Sequence, residues 1–245
     1  IEELHKRSAY TLVALDQPTI VKNKTGMRPV EKVVASLVSK LKGGVQPATR
    51  SKKTMFGDAA PIWKFIERIG ATQNPAEARS ASDGLHLIEV FPALALPSLE
   101  PRIWEQKRRA AYNPSKKNFS PEDWRMVANA IQRHAKQLKV APLAKWAAQM
   151  ADKDRPAKPD QDRIDAAICL FIALYWRCRN MCDIDMAFIG DTDNGYMVTP
   201  VAPETRKILE AAAKERSVPV NNRRLPKTSD AVNINPSPTT GHPPC

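Results

Sequence analysis

Four carboxylates of this 245-residue chain sit where a globular protein seldom places an unpaired charge: Asp16, Glu89, Asp162 and Asp165. Asp16 follows the apolar run Tyr10–Leu15 and precedes Pro18, which stops a strand. Glu89 interrupts the apolar stretch His86–Phe91 just before Pro92. Asp162 and Asp165 lie three apart at the head of a long apolar segment, so a helix turns both to one side. That side continues through Cys169, Ile172 and Trp176, which puts Asp165 where the helix enters the core. A carboxylate there is costly unless a partner neutralises it, and a cation is one such partner.

Oxygen donors of this kind suit a hard divalent ion, Mg²⁺ or Mn²⁺. Carboxylates at strand ends, facing a helix that carries two more, can converge on one or two such ions. Two ions stabilise the attacking and leaving oxygens of an in-line phosphodiester displacement. Plainer readings stand beside this one. Asp160 serves as a helix N-cap, acids in a first turn complement the helix dipole, and Asp16 can simply form a turn. With four histidines and no nucleophile elbow, histidine-based nucleophilic catalysis has little support.

The net charge of +12 points to a polyanion, and its distribution matters more than its sum. Residues 1–55 carry eleven Lys/Arg against four acids, and residues 100–160 carry fourteen against seven. Residues 56–99 and 161–202 are acidic on balance and hold Glu89, Asp162 and Asp165. The basic blocks offer Arg28, Arg50, Lys52, Lys107, Arg108 and Lys116 as contacts to a nucleic-acid backbone. Tyr112 and Phe119 are interleaved with the second block, where bases can stack. A generic solvated basic surface is the alternative.

The elements that must position these groups are those of an α/β chain. Tyr10–Leu15 and His86–Phe91 read as buried strands, and Asp185–Ile189 with Gly195–Thr199 as a hairpin around Gly190–Asn194. Helices are expected from Pro29 to about Lys42, over Asp58–Ile69, Pro75–Ser80, Ser120–Leu138 and Ala141–Met150, and over Pro203–Arg216. Ile1–Ser8 reads as a short amphipathic helix, Val45–Thr54 as an exposed loop and residues 97–120 as a basic connection. The longest helix follows Pro159, with Asp160 as its cap. The stretch rich in Pro, Asn, Ser and Thr from Pro219 onward cannot bury a core and is expected to be disordered or draped over the surface.

No apolar run reaches the length of a membrane span, and no signal-peptide pattern opens the chain. Cys169, Cys178, Cys182 and Cys245 lack the paired spacing of a zinc site, so a reduced cytoplasmic protein is the expectation.

Several motifs together carry a resemblance. They are Leu15, Asp16 and Pro18; Gly26 to Arg28; Ile88 to Pro92; Asp162 with Asp165, Ala166 and Ala167; and Gly195 to Pro200. The chain resembles the predicted-nuclease family of unknown function, domain four-twenty-nine, over roughly residues 10–216. The resemblance implies an RNase H-like fold: a mixed sheet flanked by helices, with a helical insert. It also implies that Glu89, Asp162 and Asp165 are metal-site acids with Asp16 beside them. Relatives carry His or Tyr before the strand-motif proline and Glu after it, where this chain has Phe91 and Ala93.

The sequence therefore predicts an RNase H-like domain over residues 1–218, with the basic connection and helical insert at about 100–158, followed by a flexible tail over 219–245. Its expected activity is metal-dependent phosphodiester hydrolysis at Asp16, Glu89, Asp162 and Asp165. The alternatives are a non-catalytic nucleic-acid binder and a protein–protein adaptor.

Overall fold

Nine of the described helices carry a proline in their first or second position, which is where many of the chain's 21 prolines are used. Proline costs a helix nothing there, because the first amides have no acceptor within the helix. The computed structural model describes residues 1–178 and 184–220. In chain order the elements are α1 (Glu2–His5), β1 (Tyr10–Leu15), α2 (Pro29–Val38), α3 (Lys53–Phe56), α4 (Pro61–Ile69) and α5 (Pro75–Ser80). There follow β2 (Gly84–Glu89), α6 (Pro92–Leu99), α7 (Pro101–Glu105), α8 (Pro121–Gln137) and α9 (Ala141–Ala151). The last are α10 (Lys158–Arg177), β3 (Asp185–Asp191), β4 (Gly195–Val201) and α11 (Pro203–Glu215).

β1 and β2 pair in parallel, from Tyr10 opposite Gly84 to Leu15 opposite Glu89. β3 and β4 form the expected antiparallel hairpin. One parallel bridge, Val90 to Val198, sets the two pairs side by side. The hairpin alternates with the two-residue period of a strand. Met186, Phe188, Tyr196 and Val198 point into a core shared with α6, α8 and α10. Ala187, Ile189, Met197 and Val201 point into a second core shared with α2 and α11. The result is a mixed α/β protein with helices on both faces of its strands.

α8 and α9 form a helical pair against the first core, through Trp124, Val127, Ile131 and Ala147. A buried polar contact joins this pair to α10: the Tyr175 hydroxyl meets His134 Nδ1 at 2.6 Å, while His134 Nε2 meets Leu99 O at 2.9 Å.

Four expectations are corrected. β1 is half-buried throughout rather than buried, and β2 is its one strand neighbour among the described residues. The segment 45–54 is not a free loop. Ala48 and Thr49 are buried there, and the Glu31 carboxylate accepts the Ala48 amide at 3.1 Å. Residues 97–120 are not all connection, since α6 and α7 occupy their beginning. α6 is apolar on all sides and carries Pro97 within it, so it shows no stripe. Finally, α10 starts two residues before Asp160: Ala157 is the cap, Pro159 lies in the first turn, and the Asp160 carboxylate reaches back to the Ala157 amide at 2.8 Å.

Pro219 and Val220 join the sheet edge, with the Gly190 amide donating to Pro219 O at 2.9 Å. The expected tail beyond Val220 lies outside the described residues, as do Cys182 and Cys245. Among the described residues no helix is long and apolar enough to cross a membrane.

Candidate active site

The parallel pairing brings the ends of β1 and β2 together, and α10 packs against β1. Asp16, immediately beyond β1, and Asp162 and Asp165 on α10 line one open cleft of about 410 Å³. Its remaining wall is apolar, from Leu12, Ala14, Cys169 and Leu170. Three of the four expected acids therefore share a cleft.

Asp165 is half-buried and tightly held. Tyr112 donates its hydroxyl to Asp165 Oδ1 at 2.6 Å, and the Gln161 side-chain amide donates to Oδ2. Lys158 closes the group from the head of the helix, donating to Gln161 Oε1 at 2.5 Å and pairing with Asp162. Loss of water pushes Asp165 up to about 6, with the Tyr112 hydrogen bond and Lys158 lowering it and Asp162 raising it.

No described residue donates a hydrogen bond to the Asp16 carboxylate. It is raised to about 7, first by loss of water and then by the charges of Asp165 and Glu89, with Lys158 acting against them. Asp16 is exposed as a residue and faces the open cleft. The Cys169 thiol below is pushed well up by burial and by the same two aspartates, which keeps it from being a nucleophile. Burial and Asp165 likewise hold Tyr112 as a neutral donor.

Glu89 does not line the cleft. It lies behind it, 1% exposed, facing Arg28. Arg28 Nη2 donates to Oε1 at 2.6 Å and Nη1 to Oε2 at 2.9 Å, and the Thr19 amide adds a third bond at 3.0 Å. Loss of water pushes the Glu89 carboxyl up, while the Arg28 hydrogen bonds and charge and the Thr19 amide pull against it. Arg28 also donates Nε to Glu31 Oε1 at 2.8 Å and Nη1 to Ile20 O at 3.0 Å. Gly195 is required beside it: the backbone there has φ +98°, and a Cβ would stand 2.7 Å from Arg28 Nη1.

The expected phosphate contacts divide in the same way. Arg28 is fully buried and cannot meet a backbone phosphate, so that expectation is corrected. Arg50 is committed to Val21 O at 2.8 Å and lies over the Trp63 ring at 4.5 Å. Arg108 is paired with both oxygens of Asp123. Among the described residues the Lys52 ammonium reaches Gln46, at 3.4 Å. Lys107 and Lys116 are exposed.

Sequence reasoning missed Gln161 and Lys158 as partners of the acids, although their spacings of four from Asp165 and Asp162 were a usable signal. It also passed over Arg109, hidden in a run of cations.

The architecture and the strand-end acid cleft define a mixed α/β protein whose polar groups gather where β1 ends. The family model described as Protein of unknown function (DUF429) matches residues 1–185, and the chain belongs to that family. No curated protein and no solved structure matches it.

Proposed function

We propose that the Asp16–Asp165 cleft is the active site of a divalent-metal-dependent nuclease of RNase H-like ancestry that hydrolyses nucleic-acid phosphodiester bonds. One observation carries this reading: two carboxylates, both raised, share an open cleft on a chain of net charge +12. A pair of like charges held together in this way is relieved either by a proton or by a cation.

The donor set limits the kind of ion. Among the described residues no three of His, Cys, Asp and Glu stand close enough to hold a metal between them. That disfavours a dedicated protein cage. It fits Mg²⁺, or Mn²⁺ in its place, held by one or two carboxylates with water and substrate phosphate completing the shell. Asp16 and Asp165 would hold it, with Asp162 at the rim. When bound, the ion supplies positive charge for the phosphate oxygens and eases deprotonation of water. The chain's own groups do the rest. Tyr112 and Gln161 fix the direction of the Asp165 carboxylate, and Lys158 favours the ionised form of both acids. Asp16, to which no described residue donates a hydrogen bond, has its carboxylate free for the ion, whose charge would hold it ionised. Glu89 serves this site as an anchor of β2 through Arg28.

The test is cleavage of labelled DNA and RNA with Mg²⁺, with Mn²⁺ and with chelator. Chelator-sensitive cleavage is expected, falling about a hundredfold or more in Asp165→Asn. Full cleavage by that variant, or cleavage indifferent to chelator, would overturn the proposal.

A second reading rests on a specific observation, the capture of Glu89 by Arg28, which leaves fewer acids in the cleft than the family resemblance implies. On this reading the chain is a non-catalytic nucleic-acid binder. Salt-sensitive binding without cleavage in any metal would select it.

A further inference from the structure

A second cavity lies behind the wall that holds Asp165. It measures about 190 Å³, and Tyr112 and Gln161, the two residues that hydrogen-bond Asp165, both line it. The acid cleft and this cavity are therefore joined through the hydrogen-bonded group Tyr112, Asp165 and Gln161.

The cavity has two chemically distinct parts. Its floor is aliphatic, from Leu41, Leu96 and Ile103, all buried. Its rim carries Arg109, Lys116 and Asn118, all exposed. Neither the Arg109 guanidinium nor the Lys116 ammonium pairs with a described acid, although Arg108 next door is locked to Asp123. The loop bearing this rim is pinned at both ends. Asp123 Oδ2 accepts the Ala111 amide at 2.6 Å, and the Ser120 amide donates to Ala111 O at 2.8 Å. The site is thus preformed and its cations are uncommitted.

At about 190 Å³ it is smaller than the roughly 300 Å³ at which drug-sized sites begin, so it takes one ring system. An aliphatic floor receives a flat, weakly polar ring. Two free cations at the mouth receive the phosphate attached to it.

From this we infer that the cavity is a nucleotide subsite of a single-stranded nucleic acid, with the base on the Leu41–Leu96–Ile103 floor and its phosphate on Arg109 and Lys116. A duplex is disfavoured, because taking a paired base out of the stack costs a few kcal/mol that a single strand does not spend. The inference rests on the nuclease reading for its substrate class. It extends that reading by placing the strand over Tyr112 and Gln161, beside the acid cleft.

The experiment measures binding of a short labelled single-stranded DNA, its RNA counterpart and the matching duplex, in chelator so that no metal or cleavage is needed. Ala93→Trp fills the cavity from an exposed position on its wall, and the double variant Arg109→Ala with Lys116→Ala empties the rim. Each is expected to weaken single-strand binding about tenfold. The double variant should also lower the slope of log affinity against log salt by about 1.4. Unchanged single-strand affinity in both variants would overturn the subsite, as would equal affinity of the native chain for the duplex. The two readings separate cleanly. Cleavage that persists with unchanged binding removes the subsite and keeps the nuclease, whereas subsite-dependent binding with no cleavage in any metal keeps the subsite and removes the nuclease.

Discussion

Arg28 and Glu89, 61 residues apart in the chain, meet edge to edge with both side chains out of water, at 2.6 and 2.9 Å. Glu31 shares the same guanidinium and passes its second contact to the Ala48 amide. One cation therefore ties together α2, β2, the segment around Ala48 and, through Ile20 O, the chain leaving β1.

Removing that cation should be severe. Arg28→Ala leaves two carboxylates without their partner, and breaking a buried pair in this way costs about 3–5 kcal/mol. Arg28→Lys should rescue little, because an ammonium cannot span both oxygens of Glu89 and also reach Glu31. Urea denaturation checks both variants. A loss under about 1 kcal/mol in Arg28→Ala would contradict the role assigned to the pair.

Gly195→Ala tests the same knot from the hairpin side. The new methyl would press on Arg28 Nη1 and Ile20 O while the backbone is held at φ +98°. The expected cost is about 1–3 kcal/mol, read as a lowered melting temperature. Gly26→Ala is the control for strain alone: it has a similar φ of +71° and nothing within 4 Å of the added carbon.

The acid pair gives stability a pH dependence with a definite sign. Asp16 and Asp165 have folded values of about 7 and about 6 against an ordinary 3.8, so the folded chain holds their protons more tightly. Their contribution is fully present below pH 4 and is lost as pH rises toward 7. Glu100 acts oppositely. Despite desolvation that raises it, its bonds to Arg102 and Arg133 lower it to about 2, and its contribution is lost as pH falls from 4.5. Thermal melts of the native chain and Asp16→Asn across pH 4 to 8 should converge at the acid end and diverge toward neutrality, with the variant the more stable. Parallel curves would show that Asp16 is not held near a like charge.

Tyr112→Phe removes a hydrogen bond that lowers Asp165. The Asp165 carboxyl should therefore titrate higher in the variant, followed by its carboxyl NMR resonance. If cleavage requires that group ionised, the acid limb of the rate profile moves to higher pH by the same amount. An unmoved titration would mean that the 2.6 Å contact does not persist in solution.

Much of the scaffold was legible because its signals are local. The hairpin announces itself by Gly190 and Gly195 around a polar turn, and α5, α8 and α11 by a proline in the first turn. α6 was not legible, because an almost wholly apolar helix, exposed only at Ala93, has no polar face to set its period. Asp165 could be placed at the core entrance from spacing alone. The partner of Glu89 could not, since spacing says that a buried charge needs a counter-ion and is silent on which distant residue provides it. Arg50 looked free for the same reason: the carbonyl that engages it, from Val21, lies 29 residues away.

The contact between Tyr175 and His134 gives the helical pair α8–α9 a mechanical role. α10 carries Tyr175 near its C-terminal end and Asp165 seven residues in from its start, the two ten residues or about 15 Å apart along one rod. A rod gripped at one end transmits any turn about its axis to the other. The helical pair thus adds a set-screw to an axle already bedded on β1 and α6, one more constraint on the angle at which a distant carboxylate faces the cleft.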